Sequence, residues 1–289
     1  MASDPSSSLP VKCKYLVVAR MTVNASTKMK IAVLFLCHHI DEPSLAEYHN
    51  IRHSLEGLAD CWILFHATTD KTPSLVPGPY VYSFTNESVA RMKYARFVDS
   101  IVPGNAHFPV LRFFLDNRGY EYCWLLEYDV RFSGSWRQFF GHFANVSADF
   151  ITCHLRKYAD EPGWAWWRME HPRQKIALSD RLRSFNPIYR ISATALYHID
   201  RMHREGWRGH DQVLIPTLLF HADFQIADFG GSGAFVPPLM QDKFYLDGPP
   251  NKSGSLSSGT VRFRPIFREP GTKENTLYHP VKDIRGSWG

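Results

Sequence analysis

Between Tyr122 and Phe132 the apolar run Tyr-Cys-Trp-Leu-Leu leads straight into Glu127-Tyr128-Asp129. A stretch without polar alternation reads as a strand covered on both faces, the situation of a central strand in a parallel sheet. Helices must then lie on each side of that sheet. The carboxylates stand where the strand runs out, and ligands of open α/β sheets gather at the carboxyl ends of strands. Residues i and i+2 of an extended segment face the same side, so Glu127 and Asp129 are expected to share a pocket. Adjacent carboxylates repel unless a cation or a polar ligand sits between them, and a hard divalent ion holding a diphosphate meets that demand. A solvated turn is the other common form of such a pair.

The flanking pattern agrees with a layered α/β fold. Strands are expected at 30–36, 61–66 and 80–84, and helices at 41–58, 86–101 and 106–118. Glu42-Pro43 suits a helix start and Gly119 a helix stop. Beyond Phe132 the pattern predicts a helix at 136–143, a strand at 149–153, a strand leading into a helix over 188–199, and a strand at 261–267. Asp211 opens an apolar helix over 213–220 as an N-cap or first-turn acid. The expected fold is a Rossmann-type, mostly parallel central sheet flanked by helices in a single domain. Residues 1–28 precede the first strand signal and are expected to be a dispensable extension.

Composition excludes several classes. The net charge of +5 comes without a run of Lys or Arg, so no nucleic-acid partner is expected. No segment reaches the roughly 18 apolar residues of a membrane helix. Five scattered cysteines without a CxxC pair argue against a disulfide framework or a zinc ribbon. Buried thiols are the expectation, and with them a reducing, cytoplasmic location.

Three features appear in a telling order: Glu127-Tyr128-Asp129 at a strand end, Asp211 in His210-Asp211-Gln212 at a helix start, and His279 in Tyr278-His279-Pro280-Val281-Lys282 near the end of the chain. Over roughly residues 30 to 282 the sequence resembles the GT-A class of nucleotide-sugar glycosyltransferases. The acidic pair looks like that class's DxD motif, with Glu in place of the first Asp. The resemblance implies a GT-A-like domain with a nucleotide-sugar-binding half at 29–132. It also implies an acceptor-binding half at 133–289, ending in a metal-ligand tail. It implies Asp211 as the base of an inverting transfer and His279 as a late metal ligand.

The chemistry of these residue types is compatible with that assignment. A divalent cation stabilises a departing diphosphate as a Lewis acid. Mg²⁺ and Mn²⁺ prefer oxygen ligands and Mn²⁺ also accepts imidazole, so Asp129 and His279 would supply one donor of each kind. Glu127 would hold the ribose hydroxyls or a metal-bound water, and Lys282 would place a positive charge beside the diphosphate. The loop after the first strand, Leu36, Cys37 and His38, is expected to line the nucleotide pocket. Adjacent His38 and His39, read as strand residues, point opposite ways and are not expected to share an ion. Trp164, Trp166 and Trp167 offer a sugar platform or simply core. The Gly/Ser-rich segment 247–260 is expected to order as a lid over the donor.

The partners expected are a nucleoside-diphosphate sugar and a hydroxyl-bearing acceptor, a glycan or a small molecule. Two rivals remain at this stage. One is a metal-dependent hydrolase of a phosphorylated or nucleotide substrate, built on Asp129, His279 and His38. The other is a non-catalytic sugar-binding module on the same scaffold.

Overall fold

The structure, a computed structural model, describes residues 29–68, 80–248, 256 and 258–282. In chain order its elements are β1 (Ile31–Cys37), α1 (Glu42–Ser54), β2 (Asp60–His66), β3 (Val81–Phe84), α2 (Asn86–Ala90), α3 (Phe108–Asp116), β4 (Tyr122–Glu127), β5 (Arg131–Phe132), α4 (Trp136–Phe143), β6 (Phe150–Lys157), β7 (Met169–Glu170), β8 (Leu182–Ser192), α5 (Ala193–Glu205), β9 (Arg208–Gly209), α6 (Asp211–His221), β10 (Ile226–Asp228) and β11 (Leu277–Tyr278).

Among the described residues seven strands form one sheet in the order β10-β6-β8-β4-β1-β2-β3. All neighbouring pairs are parallel except those made by β8, which runs against β4 and β6. The carboxyl ends of the six parallel strands and the beginning of β8 therefore meet along one edge. The sheet is continuous through the chain, a Rossmann-type single domain with helices on both faces.

The double coverage is visible in β1. Ala32 and Leu34 pack into one apolar layer with α3, α5 and α6, whereas Val33 and Phe35 pack into the opposite layer with α1 and α4. On β4 the same alternation sends Cys123 and Leu125 one way, Trp124 and Leu126 the other. Each fully buried Leu or Phe adds about 1.5–3 kcal/mol of transfer free energy, so the central strands anchor the edge where their carboxyl ends lie.

Several local expectations need correction. The helix expected over 86–101 stops at Ala90. Beyond it, the Asn105 side chain accepts from the Phe97 amide and donates to the carbonyls of Val98 and Ser100, fixing this stretch as a loop. The strand expected at 261–267 reduces to single bridges, Val261 with His279 and Phe267 with Val281, since Pro265 has no amide to donate between them. His38 and His39 do not point apart, because β1 ends at Cys37 and strand alternation ends with it. Their ring nitrogens lie 3.1 Å from each other.

The strand signal for β8 was obscured by Arg183, Ser184, Asn186 and Arg190, all buried. Arg190 is tolerated there because its guanidinium donates to the carbonyls of Phe143, Val146 and Ala148. Residues 1–28 lie outside the described residues, as do positions 249–255 and 257 of the expected lid. No helix among the described residues is long and apolar enough to cross a membrane.

Candidate active site

Beyond Glu127 the chain stays laced to β1: the Tyr128 amide donates to the Leu36 carbonyl at 3.0 Å. The Val130 amide closes a turn onto the Glu127 carbonyl, which leaves Asp129 facing inward at 4 % exposure. The tail reaches this turn by pairing β11 antiparallel with β5, Leu277 opposite Phe132 and Tyr278 opposite Arg131. Past the pairing, the Val281 amide donates to the Asp129 carbonyl at 2.8 Å, and the His279 amide to the Thr260 carbonyl at 2.9 Å. The backbone of His279 is thereby fixed beside the acidic turn, although 150 residues separate it from Asp129 in sequence.

The side chains converge. His279 Nε2 lies 3.4 Å from Glu127 Oε2 and 3.5 Å from Asp129 Oδ1. Lys282 Nζ lies 3.1 Å from Asp129 Oδ2 and donates to the Tyr128 hydroxyl at 3.2 Å. One ligand atom from each of Glu127, Asp129 and His279 falls within 4.8 Å of the others. Because a carbonyl only accepts, the 2.9 Å contact between His279 Nδ1 and the Arg262 carbonyl assigns the proton to Nδ1 and leaves Nε2 to face the carboxylates.

Electrostatics follow from this crowding. Burial works against a charged His279, yet the two carboxylates outweigh it and raise its pKa to about 9. Burial likewise opposes the Asp129 carboxylate, but His279 and Lys282 bring it down to about 2. Glu127 moves the other way, raised by burial and by Asp129 despite the help of His279. Asp211 contributes to that rise, so its carboxylate shares the same field.

The residues fit a divalent ion. Asp129 Oδ1 is buried and has no hydrogen-bond partner, a costly state for a carboxylate oxygen. The imidazole-to-carboxylate gaps exceed the roughly 2.7–2.9 Å of a strong charged hydrogen bond. In an octahedral site with ligands near 2.1 Å, adjacent ligand atoms stand about 3 Å apart, close to the 3.4 and 3.5 Å from His279 Nε2 to the two carboxylates.

Asp211 is the first residue of α6, and His210 is its N-cap, accepting from the Gln212 amide through Nδ1. The carboxylate is buried, 3.1 Å from His210 Nδ1, and accepts from Asn186 Nδ2 at 3.3 Å. Burial opposes its ionisation, but His210, His107 and Asn186 prevail and lower its pKa. Asn186 comes from β8, whose Ile188 lies opposite Leu126 of β4. The reversed strand thus bridges the acidic turn and the start of α6, and the sequence offered no signal for Asn186.

The remaining expected residues divide. Leu36 sits opposite Glu127 in the β1–β4 register. His38 and His39 both pack edge-on against Tyr128, at 5.3 and 4.8 Å between ring centroids. Cys37 is buried in the core, its thiol pushed up to about 12 by burial and Asp41, so only its backbone is available to a ligand. Trp164 and Trp167 are buried as well, whereas Trp166 is 42 % exposed and lies over the His210 ring at 5.5 Å.

A second polar cluster had no sequence signal. Arg156 is paired with Asp247 and donates to the Ser232 carbonyl, while Tyr245 donates to Asp228. Asp228 also accepts the amides of Gly230 and Gly231. These contacts fasten the glycine-rich turn after β10 to the same sheet edge.

No family model and no curated protein matches the chain. Among solved structures, it is similar at 10% identity to a glycosyltransferase involved in glycosylation of the major capsid of PBCV-1, over 61% of this chain and 67% of that one, with a TM-score of 0.30. At 11% identity it is similar to a putative glucose-1-phosphate thymidylyltransferase from Bacillus anthracis in complex with a sucrose, over 71% of this chain and 88% of that one, with a TM-score of 0.39.

Proposed function

We propose that this chain is a metal-dependent, GT-A-like glycosyltransferase that moves a sugar from a nucleoside-diphosphate donor to a hydroxyl acceptor with inversion. The observation that carries the reading is the convergence of Glu127, Asp129 and His279 at the sheet edge, with the Asp211 carboxylate in the same field. Asp129 and His279 would hold Mn²⁺ or Mg²⁺, and the ion when bound supplies Lewis-acid stabilisation of the diphosphate. Lys282 adds positive charge on the Asp129 side, and Glu127, at 32 % side-chain exposure, is open to ribose hydroxyls.

Donor binding is assigned to 29–132, with Leu36, the Cys37 backbone and His38 forming the wall next to Tyr128. Acceptor binding is assigned to 133–289, with the exposed ring of Trp166 as the platform; buried Trp164 and Trp167 support it. Asp211 removes the acceptor hydroxyl proton. The hydroxyl oxygen bonds to the anomeric carbon as the carbon–oxygen bond to the diphosphate breaks, its electron pair leaving with the diphosphate. Asn186 holds the Asp211 carboxylate in place for that step. The four described cysteines are free and buried, which supports a cytoplasmic location.

A thermal-shift screen of nucleoside diphosphates and their sugars, with and without Mn²⁺, tests the reading, because ligands that bind only the folded state raise the melting temperature. A Mn²⁺-dependent rise with one nucleotide is expected. No rise with any nucleotide, or identical rises in excess chelator, would refute it.

A further inference from the structure

We propose that the acceptor carries an anionic substituent, a carboxylate or a phosphate, which seats in an arginine-lined cleft beside Trp166. The acceptor role rests on the transferase reading; the cleft's preference for anions does not.

The cleft has a volume of about 140 Å³ and is lined by Arg96, Phe97, Arg168, Glu170, Arg208 and Gly209. Its frame is the short ladder of β7 and β9, which sets Met169 opposite Gly209 and Glu170 opposite Arg208. Gly209 cannot be enlarged: a Cβ there would stand 2.8 Å from the Met169 Cβ and 3.1 Å from the Arg168 carbonyl. The backbones are therefore pressed together beneath converging guanidinium groups.

Charge in the cleft is unbalanced. Glu170 is shared by two arginines, Arg168 Nε at 2.5 Å on one oxygen and Arg208 at 2.7 Å on the other. Arg96 donates to the Asp99 carbonyl at 3.0 Å, and no carboxylate pairs with it among the described residues. Three guanidinium groups thus face one carboxylate, and each retains N–H donors beyond those engaged. Planar forks of this kind match the oxygens of carboxylates and phosphates.

The position is as telling as the charge. Gly209 lines the cleft, and Asp211 follows two residues later, at most about 7.6 Å away along the Cα trace. Phe97, another wall residue, lies 5.5 Å from the His210 ring and 5.7 Å from Trp166 between centroids. An anion held here leaves the rest of its sugar against Trp166, with a hydroxyl within one sugar residue of Asp211. Lys282, assigned to the donor diphosphate, is engaged elsewhere, at Asp129.

Titration calorimetry with glucuronate, glucose 6-phosphate and glucose tests the proposal. At least one charged sugar is expected to bind about tenfold or more tightly than glucose, and the tighter of the two identifies the carboxylate or the phosphate as the natural group. The Arg96→Gln/Arg208→Gln double variant is expected to lose about tenfold or more of that affinity. Neither charged sugar outbinding glucose, or undiminished binding by a folded double variant, overturns the proposal. Should the double variant unfold, the arginine Nε resonances of the wild-type protein decide: shifts on adding the charged sugar support the cleft, and none overturns it. Mn²⁺-dependent nucleoside-diphosphate binding is measured in parallel on wild type. Its absence removes the acceptor role together with the transferase reading, whereas loss of anion preference alone removes only the cleft.

Discussion

Asp129 divides its two oxygens: Oδ2 lies 3.1 Å from Lys282 Nζ, while Oδ1 is buried without a hydrogen-bond partner and faces His279 Nε2 at 3.5 Å. One oxygen is neutralised by the protein, and on the transferase reading the other would take the added ion. Asp129→Asn should therefore abolish the Mn²⁺-dependent rise in melting temperature, with an affinity loss of at least about tenfold. Scanning fluorimetry with and without Mn²⁺ checks this, and a wild-type rise in the variant would count against the site.

Metal binding should be proton-linked. His279 is protonated below its raised pKa of about 9, and an imidazole binds metal only after losing that proton. Mn²⁺ affinity should thus climb by up to about tenfold per pH unit on approaching pH 9, with about one proton released per ion. Calorimetry in buffers of different ionisation enthalpy measures the release. In the ion-free protein the sign is opposite: stability from charged His279 is full below its unfolded value near 6.5 and is lost as pH rises through about 9.

Removing the proposed base should separate binding from chemistry. Asp211→Asn is expected to keep nucleoside-diphosphate affinity within about twofold while transfer falls by about 10²–10⁴. Donor calorimetry and product formation on the same preparation distinguish the two effects. Equal loss of both would show that Asp211 serves the fold or the donor site instead.

A buried histidine pair should govern acid stability. His203 Nδ1 contacts the Trp207 carbonyl, so it carries the proton, and His203 Nε2 accepts from His107 Nε2 at 2.7 Å. Burial depresses both; at His107 it outweighs the opposing charge of Asp211, and the pKa falls to about 4. A neutral buried histidine contributes stability above about pH 6.5 that is lost on acidification, at up to about 1.4 kcal/mol per pH unit for each group. Urea unfolding from pH 7 down to 4.5 should show this slope, and His107→Gln should flatten it.

Trp166 and Trp167 should behave differently. Trp167→Ala in the core should cost about 3–5 kcal/mol, whereas Trp166→Ala should change stability by about 0.5 kcal/mol or less while weakening acceptor binding. Urea denaturation and acceptor KM separate these outcomes. A large stability loss at Trp166 would make it a packing residue.

What the sequence disclosed followed from strong local signals. The unbroken apolar run of β4 placed Glu127 and Asp129 at a sheet edge, and Asp211 stood visibly at a helix start. Asn186 stayed hidden because polar and charged residues interrupt the apolar pattern of β8, and their partners come from segments far away in sequence. The loop after Ala90 was misread since one side chain, Asn105, satisfies backbone groups that helical periodicity would otherwise claim. Trp164, Trp166 and Trp167 were indistinguishable as letters; only packing decided which one faces solvent.

β11 joins only β5, outside the seven-stranded sheet. The tail nonetheless belongs to the body, because Leu277 is fully buried in the apolar layer of α1 and α4. Shortening the chain ahead of Leu277 would remove a core side chain together with the imidazole of the proposed metal site. On the transferase reading, a chain that lost its tail would lose stability and ion affinity together.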